Sequence, residues 1–360
     1  MSEIHQVLVS AGPGDAITNA ALEVQAKLRE LGPSEIFARH VHPAMVGEVR
    51  MLSEFAPPRK QQTADLIVYH ASIGEPTVFS FLYERPEPLA VVYHNITPPG
   101  YFVPYDSDFA SLLEAGRYEV AKLAERVVVA VAASEFNAAD LRSMGYRNVD
   151  VVPLRVDSSR LRAVPDDPAT VSALAGVDGP VVLFVGQVSP HKRHDWLLAA
   201  YHALVTYLEP NAHLFMVGPA RLEPFRRAVE LYAAELRLRR AWFTGSISLE
   251  ALVTYYRRAD VFVTASEHEG FCVPLLEAMT FDLPIVARAH TAVPETLGGA
   301  GLLLDPDDSP LVAAEAVSAL VGDEALRQVL ADRGRERLAV LDEQASRKDV
   351  VEDLVAVIES

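Results

Sequence analysis

Short apolar, β-branched runs that alternate with amphipathic segments are what most limits the folds open to this chain. A run at 7–10 is followed by a segment, 17–31, in which Ile17, Ala21, Val24, Leu28 and Leu31 share one helical face. Further strand-like runs lie at 66–69, 90–93, 127–131 and 149–152, with helical periodicity at 111–125 and 137–144. Alternation of this kind predicts a parallel sheet with helices on both faces. Residues 156–180, rich in Pro, Asp and Ser and without a strand run, read as a linker. A second series then begins. Its strands are expected at 181–185, 214–217, 242–244, 261–264, 285–287 and 301–304, and its helices at 196–207, 223–236, 249–258 and 274–279. The expected organisation is two α/β units, 1–165 and 178–345, followed by a C-terminal helix over 346–360 with apolar residues at 350, 351, 354, 355 and 358.

Composition narrows the function classes. The 360 residues suit two domains, and half of them are apolar, enough for large cores. A net charge of −17 argues against a nucleic-acid partner, which requires a basic surface. The single cysteine, Cys272, excludes an internal disulfide and thiolate metal clusters. The N-terminus has no basic segment leading into an apolar one, and no apolar run approaches the roughly 20 residues of a membrane span. The expectation is a cytoplasmic protein. Peripheral membrane contact stays open, because net charge does not describe a local patch.

In parallel sheets, ligands bind outside the carboxyl ends of strands, so the loops there carry the functional argument. The most informative is 261–279, VFVTASEHEGFCVPLLEAM. Pro274 suits the first residue of a helix. Backbone N–H groups near 271–275, aided by the helix dipole, would form an anion site suited to a diphosphate. Glu269 precedes that site and Glu277 lies one turn into the helix, one placed to reach a sugar and the other a ribose. On residues alone, a solvated acidic loop explains the stretch equally well. The loop 186–194, GQVSPHKRH, offers Lys192 and Arg193 as cations for a leaving group that gains negative charge. In the first unit, the loop containing Gly12 and Gly14 lacks G-x-G-x-x-G, so a dinucleotide site is not supported; a tight turn with Asp15 or Thr18 capping the helix is the plain alternative. His70 and His94 both end strand-like runs. His70 reads as structural, whereas His94 precedes a Pro-rich loop. The acidic stretch 305–308 reads as a turn, not a metal site, and the basic run 237–240 as a solvated helix end.

Several motifs, in order, carry a resemblance. Glu269 and Glu277 form an E-x7-E pair in EGFCVPLLEAM; PIV follows at 284–286, VPET at 293–296 and GLLLDP at 301–306, while VGQVSPHK precedes at 185–192. Together these resemble the family 4 retaining glycosyltransferases of GT-B fold (glycosyltransferase group 1), strongly over 180–310 and more weakly over 1–155. The resemblance implies two Rossmann-like parallel-sheet domains facing a cleft, with the acceptor on the first, toward loop 96–108, and the donor on the second. It implies that the last helix crosses back to the first domain. It implies catalytic roles for Glu269, Lys192 and His94: Glu269 meets the donor hexose and His94 lies near it. Glu277 would bind the ribose, and Gly270, Phe271, Cys272 and Val273 would offer backbone amides to sugar and diphosphate. Gly12 and Gly14, Gln187 and Arg193, and Gly245 and Ser246 beside the base complete the donor site. Two positions depart from the family pattern: Cys272 replaces a usual glycine, and Gln187 a usual arginine. The implied reaction moves a hexosyl unit from a nucleotide sugar, of GDP-mannose or UDP-hexose type, to a hydroxyl acceptor, with no cofactor and no metal. The alternatives are a GT-B nucleotide-sugar epimerase and a non-catalytic partner or scaffold that keeps the fold.

Overall fold

The computed structural model describes residues 3–55, 66–347, 350, 351 and 354. The chain divides into two units, Met1–Pro153 with Gln344–Ser360, and Leu154–Glu343.

In the first unit the strands are β1 (Ile4–Ala11), β2 (Ile36–Val41), β3 (Val49–Met51), β4 (Leu66–Ala71), β5 (Leu89–Tyr93), β6 (Val127–Ala132) and β7 (Val149–Val151). They pair in the order β3-β2-β1-β4-β5-β6-β7, parallel throughout. The helices are α1 (Ala16–Leu31), α2 (Pro76–Glu84), α3 (Ser107–Leu123) and α4 (Glu135–Ser143). Asp15 caps α1 by accepting from the Thr18 N–H at 2.9 Å, which satisfies an orphan donor of the first turn. One core cluster joins Leu8, Ala21, Ile36, Ala38 and Val49 on the β1–β2 side. Another joins Ile4, Leu28, Leu66, Val68, Ala90 and Val129 to Val351 and Leu354. The chain therefore contributes residues far along its sequence to this first core. The remaining apolar positions noted in the sequence, 355 and 358, lie outside the described residues.

In the second unit come α5 (Ser158–Ala163), α6 (Pro168–Leu174), β8 (Val181–Val185), α7 (His194–Tyr207), β9 (His213–Val217), α8 (Glu223–Glu235), β10 (Ala241–Gly245) and α9 (Leu249–Arg258). They are followed by β11 (Val261–Thr264), α10 (Val273–Thr280), β12 (Ile285–Arg288), α11 (Val293–Leu297), β13 (Leu302–Leu304), α12 (Pro310–Gly322) and α13 (Glu324–Arg347). The sheet runs β10-β9-β8-β11-β12-β13, also parallel. Both sheets thus reverse direction beside their own first strand, between β1 and β4 and between β8 and β11. These are the topological switch points where doubly wound sheets bind ligands.

The stretch read as a linker is instead structured, and the boundary expected at 165 falls at Pro153. Asp157 and Asp167 cap α5 and α6 by accepting from the N–H of Arg160 and Thr170, and Pro168 opens α6. Side chains bind the segment into the second unit. The Asp167 N–H donates to Thr254 Oγ1 at 2.8 Å, Arg257 reaches Asp166 at 2.5 Å, and Arg162 Nε donates to the Thr280 carbonyl at 2.7 Å. Polar composition there marks hydrogen bonding to α9 and α10, not a free connection.

Candidate active site

At the second switch point, the loops after β8 and β11 are tied together. The Glu267 N–H donates to the His191 carbonyl at 2.8 Å. A 3-10 turn, Pro190–Lys192, ends at Arg193, whose φ of 52° is left-handed and which caps α7. This bend sends Lys192 toward the β11 loop, where Nζ meets Glu269 Oε1 at 2.5 Å with both side chains nearly buried. Burial is the largest single influence and opposes the Lys192 charge, but the Glu269 carboxylate, through its charge and hydrogen bond, together with the neighbouring Cys272 offsets it, and the ammonium pKa is raised. The site thus holds a fixed cation whose partner is itself a candidate sugar ligand. Glu269 is anchored in turn, its N–H donating to Thr291 Oγ1 at 2.9 Å.

The β11 loop enters α10 through Cys272, in the left-handed conformation at φ 75°. Side chains other than Gly and Asn rarely adopt this conformation, which gives a physical reason for the glycine usual in the resembling family. The thiol is buried, and burial followed by the Glu269 charge raises its pKa well above the ordinary value, so it stays protonated and unreactive. Pro274 is the second residue of α10, not the first. The Leu275 N–H closes on the Cys272 carbonyl at 3.0 Å, so that amide is not among the open donors expected over 271–275. Phe271 is fixed by its carbonyl, which accepts from Thr296 Oγ1 at 2.5 Å. Glu277 accepts from Tyr256 Oη at 2.7 Å, and burial raises its carboxyl pKa. Tyr256, Thr291 and Thr296 were not legible as site residues: each supports a ligand candidate from a distant element, and no local motif marks it.

The remaining donor candidates divide. Gln187 follows Gly186 and is half-buried. Its neighbours Gly186 and Val188 donate to the Val217 and Pro219 carbonyls at 2.8 and 2.9 Å, which holds the loop against the end of β9. Arg193 does not present an uncommitted charge. It pairs with Asp195 at 2.9 Å and with Glu267, and Glu267 also meets buried Arg288 at 3.5 Å. Arg288 stacks over Trp196 at 4.7 Å and donates to the Pro306 carbonyl at 2.6 Å. That contact, with the Asp305 N–H to Asp308 Oδ2 bond at 2.8 Å, gives 305–308 a turn role. Gly245 ends β10 at φ 72°, and Ser246 beyond it is exposed. Among the described residues, no three His, Cys, Asp or Glu side chains are grouped to hold a metal ion.

Gly12, Gly14 and His94 lie in the first unit, at its own switch point. Gly14 has φ 72° and needs glycine for that reason. Gly12 does not: a Cβ there would meet nothing within 4 Å. Its N–H donates to Thr18 Oγ1 at 3.1 Å, which fixes the turn. His94, at the end of β5, bonds through Nε2 to His70 Nδ1 at 2.9 Å, so the residue read as structural and the one read as functional form a pair.

Two doubly wound parallel-sheet units, each with candidate ligands at its switch point, define the GT-B fold of glycosyltransferases. Residues 171–337 match the family model for glycosyl transferases group 1. The chain is 32% identical over 154 residues to O-antigen chain mannosyltransferase B of Escherichia coli, covering 42% of this chain and 39% of that one. It is 30% identical over 244 residues to D-inositol 3-phosphate glycosyltransferase of Kineococcus radiotolerans, covering 62% and 55%. The matches thus span about half the length of these curated relatives or less. In fold it is similar to Anabaena HepE in complex with UDP and glucose, with TM-score 0.76, 16% identity and coverage of 98% and 100%.

Proposed function

We propose that the protein is a retaining glycosyltransferase of family 4 type that moves a hexosyl unit from a GDP-mannose- or UDP-hexose-type donor to a hydroxyl acceptor. The observation that carries this reading is the Lys192–Glu269 pair at 2.5 Å beside the entry to α10, with Glu277 one turn further on. In the proposed reaction the bond between the anomeric carbon and the diphosphate oxygen breaks, the acceptor oxygen bonds to that carbon, and the acceptor proton leaves with the diphosphate. Lys192 faces the charge that develops on the diphosphate, and a preorganised cation acts most strongly where water is excluded. Glu269 grips sugar hydroxyls and Glu277 the ribose. Nothing in this scheme asks for a metal. A relative named as a mannosyltransferase, another named as a D-inositol 3-phosphate glycosyltransferase, and a neighbour with UDP and glucose support a nucleotide-sugar donor. A buried free thiol suits a cytoplasmic setting, where peripheral membrane contact would bring a lipid-linked acceptor within reach.

A thermal-shift screen of nucleotides and nucleotide sugars tests the donor site; a ligand at 100 times Kd adds about 2.7 kcal/mol. Transfer assays with the stabilising donor, with and without chelator, follow. NMR of the new linkage reads the anomer. No stabilisation by any nucleotide, an inverted product, or activity that chelator abolishes and Mg²⁺ restores would each refute the corresponding part. Epimerisation of the donor without acceptor would favour the epimerase alternative, and nucleotide binding without any turnover would favour the scaffold.

A further inference from the structure

Gln6 is a polar residue in the middle of β1, fully buried, where a strand covered on both faces ordinarily carries aliphatic side chains. Its amide is oriented by the backbone: Nε2 donates to the Ala21 carbonyl at 3.0 Å, and a carbonyl only accepts. Oε1 is therefore the atom facing His70 Nε2, at 2.8 Å. An amide oxygen also only accepts, so His70 must carry its proton on Nε2. His70 is fully buried, and burial, with the neighbouring His94, drives its pKa well below the ordinary value, so the ring is neutral. A neutral ring with a proton on Nε2 has a bare Nδ1. That nitrogen meets His94 Nε2 at 2.9 Å, so His94 is the donor in this bond. The His94 pKa is lowered by burial to about 4, so at neutral pH its ring holds one proton, on Nε2. Its Nδ1 is then an unprotonated acceptor, and that atom has no hydrogen-bond partner among the described residues.

We infer that Gln6 and His70 are positioning residues that fix His94 in the Nε2–H tautomer, so that His94 offers substrate a hydrogen-bond acceptor, Nδ1, and not a donor or a positive charge. The chemistry that fits is a hydroxyl group, which donates to Nδ1; a phosphate oxygen, which has no proton to give at neutral pH, does not fit. This inference rests on the transferase reading for the identity of that hydroxyl as a sugar's, but the tautomer itself does not depend on it.

The test is long-range ¹H–¹⁵N NMR of the full chain with labelled histidine at neutral pH, without ligand, with the His94 signals assigned by loss in His94→Asn. The expected result is Nε2 protonated and Nδ1 bare on both rings. Nδ1–H on His94, or a doubly protonated ring, overturns the inference whatever the protein catalyses. In Gln6→Leu, His70 loses the acceptor that fixes it, and the His94 ring should shift toward the Nδ1–H form; an unchanged His94 tautomer in a folded Gln6→Leu would show that Gln6 does not set it. In an active preparation, Gln6→Leu should lower kcat at least tenfold with little change in nucleotide affinity. If the NMR result holds and kcat does not fall, the tautomer stands but its use on a sugar hydroxyl is overturned.

Discussion

The two switch points share a topology and differ in electrostatics. At the first, between β1 and β4, the polar groups are Gln6, His70 and His94, joined by hydrogen bonds of 2.8 and 2.9 Å between neutral groups. At the second, between β8 and β11, they are ionic: Lys192 with Glu269, and Arg193 with Asp195 and Glu267. The strand order brings the loops together in both cases; side-chain chemistry alone decides that one edge fixes proton positions and the other fixes charges. Neutral acceptors discriminate hydroxyl groups by geometry, whereas fixed cations respond to charge that develops during a reaction.

The largest effect that would sharpen this contrast is in Lys192→Ala. Loss of an oriented group at a developing charge costs about 3–4 kcal/mol, roughly 10²–10³ in kcat. Removing it also leaves Glu269 buried without its partner, so circular dichroism must first show that the variant is folded. Glu269→Gln should likewise cut transfer while nucleotide binding persists. Arg193→Ala is the control, and the structure now gives a reason for it to be milder, since Asp195 and Glu267 already engage that guanidinium. A greater loss in Arg193→Ala than in Lys192→Ala would break the assignment of the catalytic cation.

Next in size is acid sensitivity. The His94 pKa lies at about 4 and the His194 pKa at about 3, both lowered first by burial, against 6.5 for an exposed histidine. Between pH 6.5 and those lower values the unfolded chain binds these protons and the folded chain does not, so this stability is full above 6.5, declines as pH falls from 6.5 toward them, and is lost below them. For His94 the loss should reach about 3 kcal/mol once pH is below about 4. His194 is in the second unit, fully buried against Phe184, with neither ring nitrogen hydrogen-bonded. Hydrogen exchange read separately in each unit should therefore show His94→Leu flattening the acid slope of the first and His194→Leu that of the second. Equal slopes in wild type and variants would contradict the neutral-histidine picture.

Smaller still is Tyr256→Phe, which removes the hydroxyl that donates to Glu277. About 1–3 kcal/mol is expected, as stability, nucleotide affinity or both. Titration calorimetry with the bound nucleotide and a melting curve would apportion it; no change in either would mean that Glu277 is held by something else. The least effect is expected from Cys272→Gly. Relief of the left-handed conformation gains roughly 1 kcal/mol, and losing the buried thiol gives much of that back. A melting shift larger than that corresponding to about 2 kcal/mol would show that the thiol packs more tightly than its size suggests.

The second sheet was legible because each of its strands is a mainly apolar run, buried in β8, β9, β11 and β12 and only partly so in the edge strands β10 and β13. The first was legible only in part. β2 and β3 escaped notice because the buried run of IFARHV is only three residues long before exposed Arg39 and His40, and VRM, the edge strand, buries Val49 alone. The helices α5 and α6 could have been read: Asp167 followed by Pro168 is an N-cap and first-turn signal, hidden by reading Pro and Asp as linker composition. At the site, Glu269, Glu277 and Lys192 were visible as motif residues in loops after strands. Bonds that support the two sites were not, because the Tyr256–Glu277 and Gln6–His70 bonds join positions 21 and 64 residues apart, at no period that a sequence pattern carries.

The packing of Val351 and Leu354 against Ile4 and Leu66 has a consequence for the order in which the chain matures. Some 350 residues separate Ile4 from Leu354 along the chain, and ribosomal synthesis proceeds from the first toward the second. The first unit's strands can emerge and pair early, but its core stays uncovered beside β1 and β4 until positions 351 and 354 have been made. From Val151, where the first unit's last strand ends, about 200 residues remain to Leu354, which at about 5–20 residues per second take roughly 10–40 s. During that interval the nascent first unit exposes apolar surface of the kind that chaperones bind, while the second unit can close its own core as soon as it has been translated. Such long-range closure is also slow in refolding, since the loop entropy is lost before the contact forms. The last part of the chain thus acts as a timer on the first.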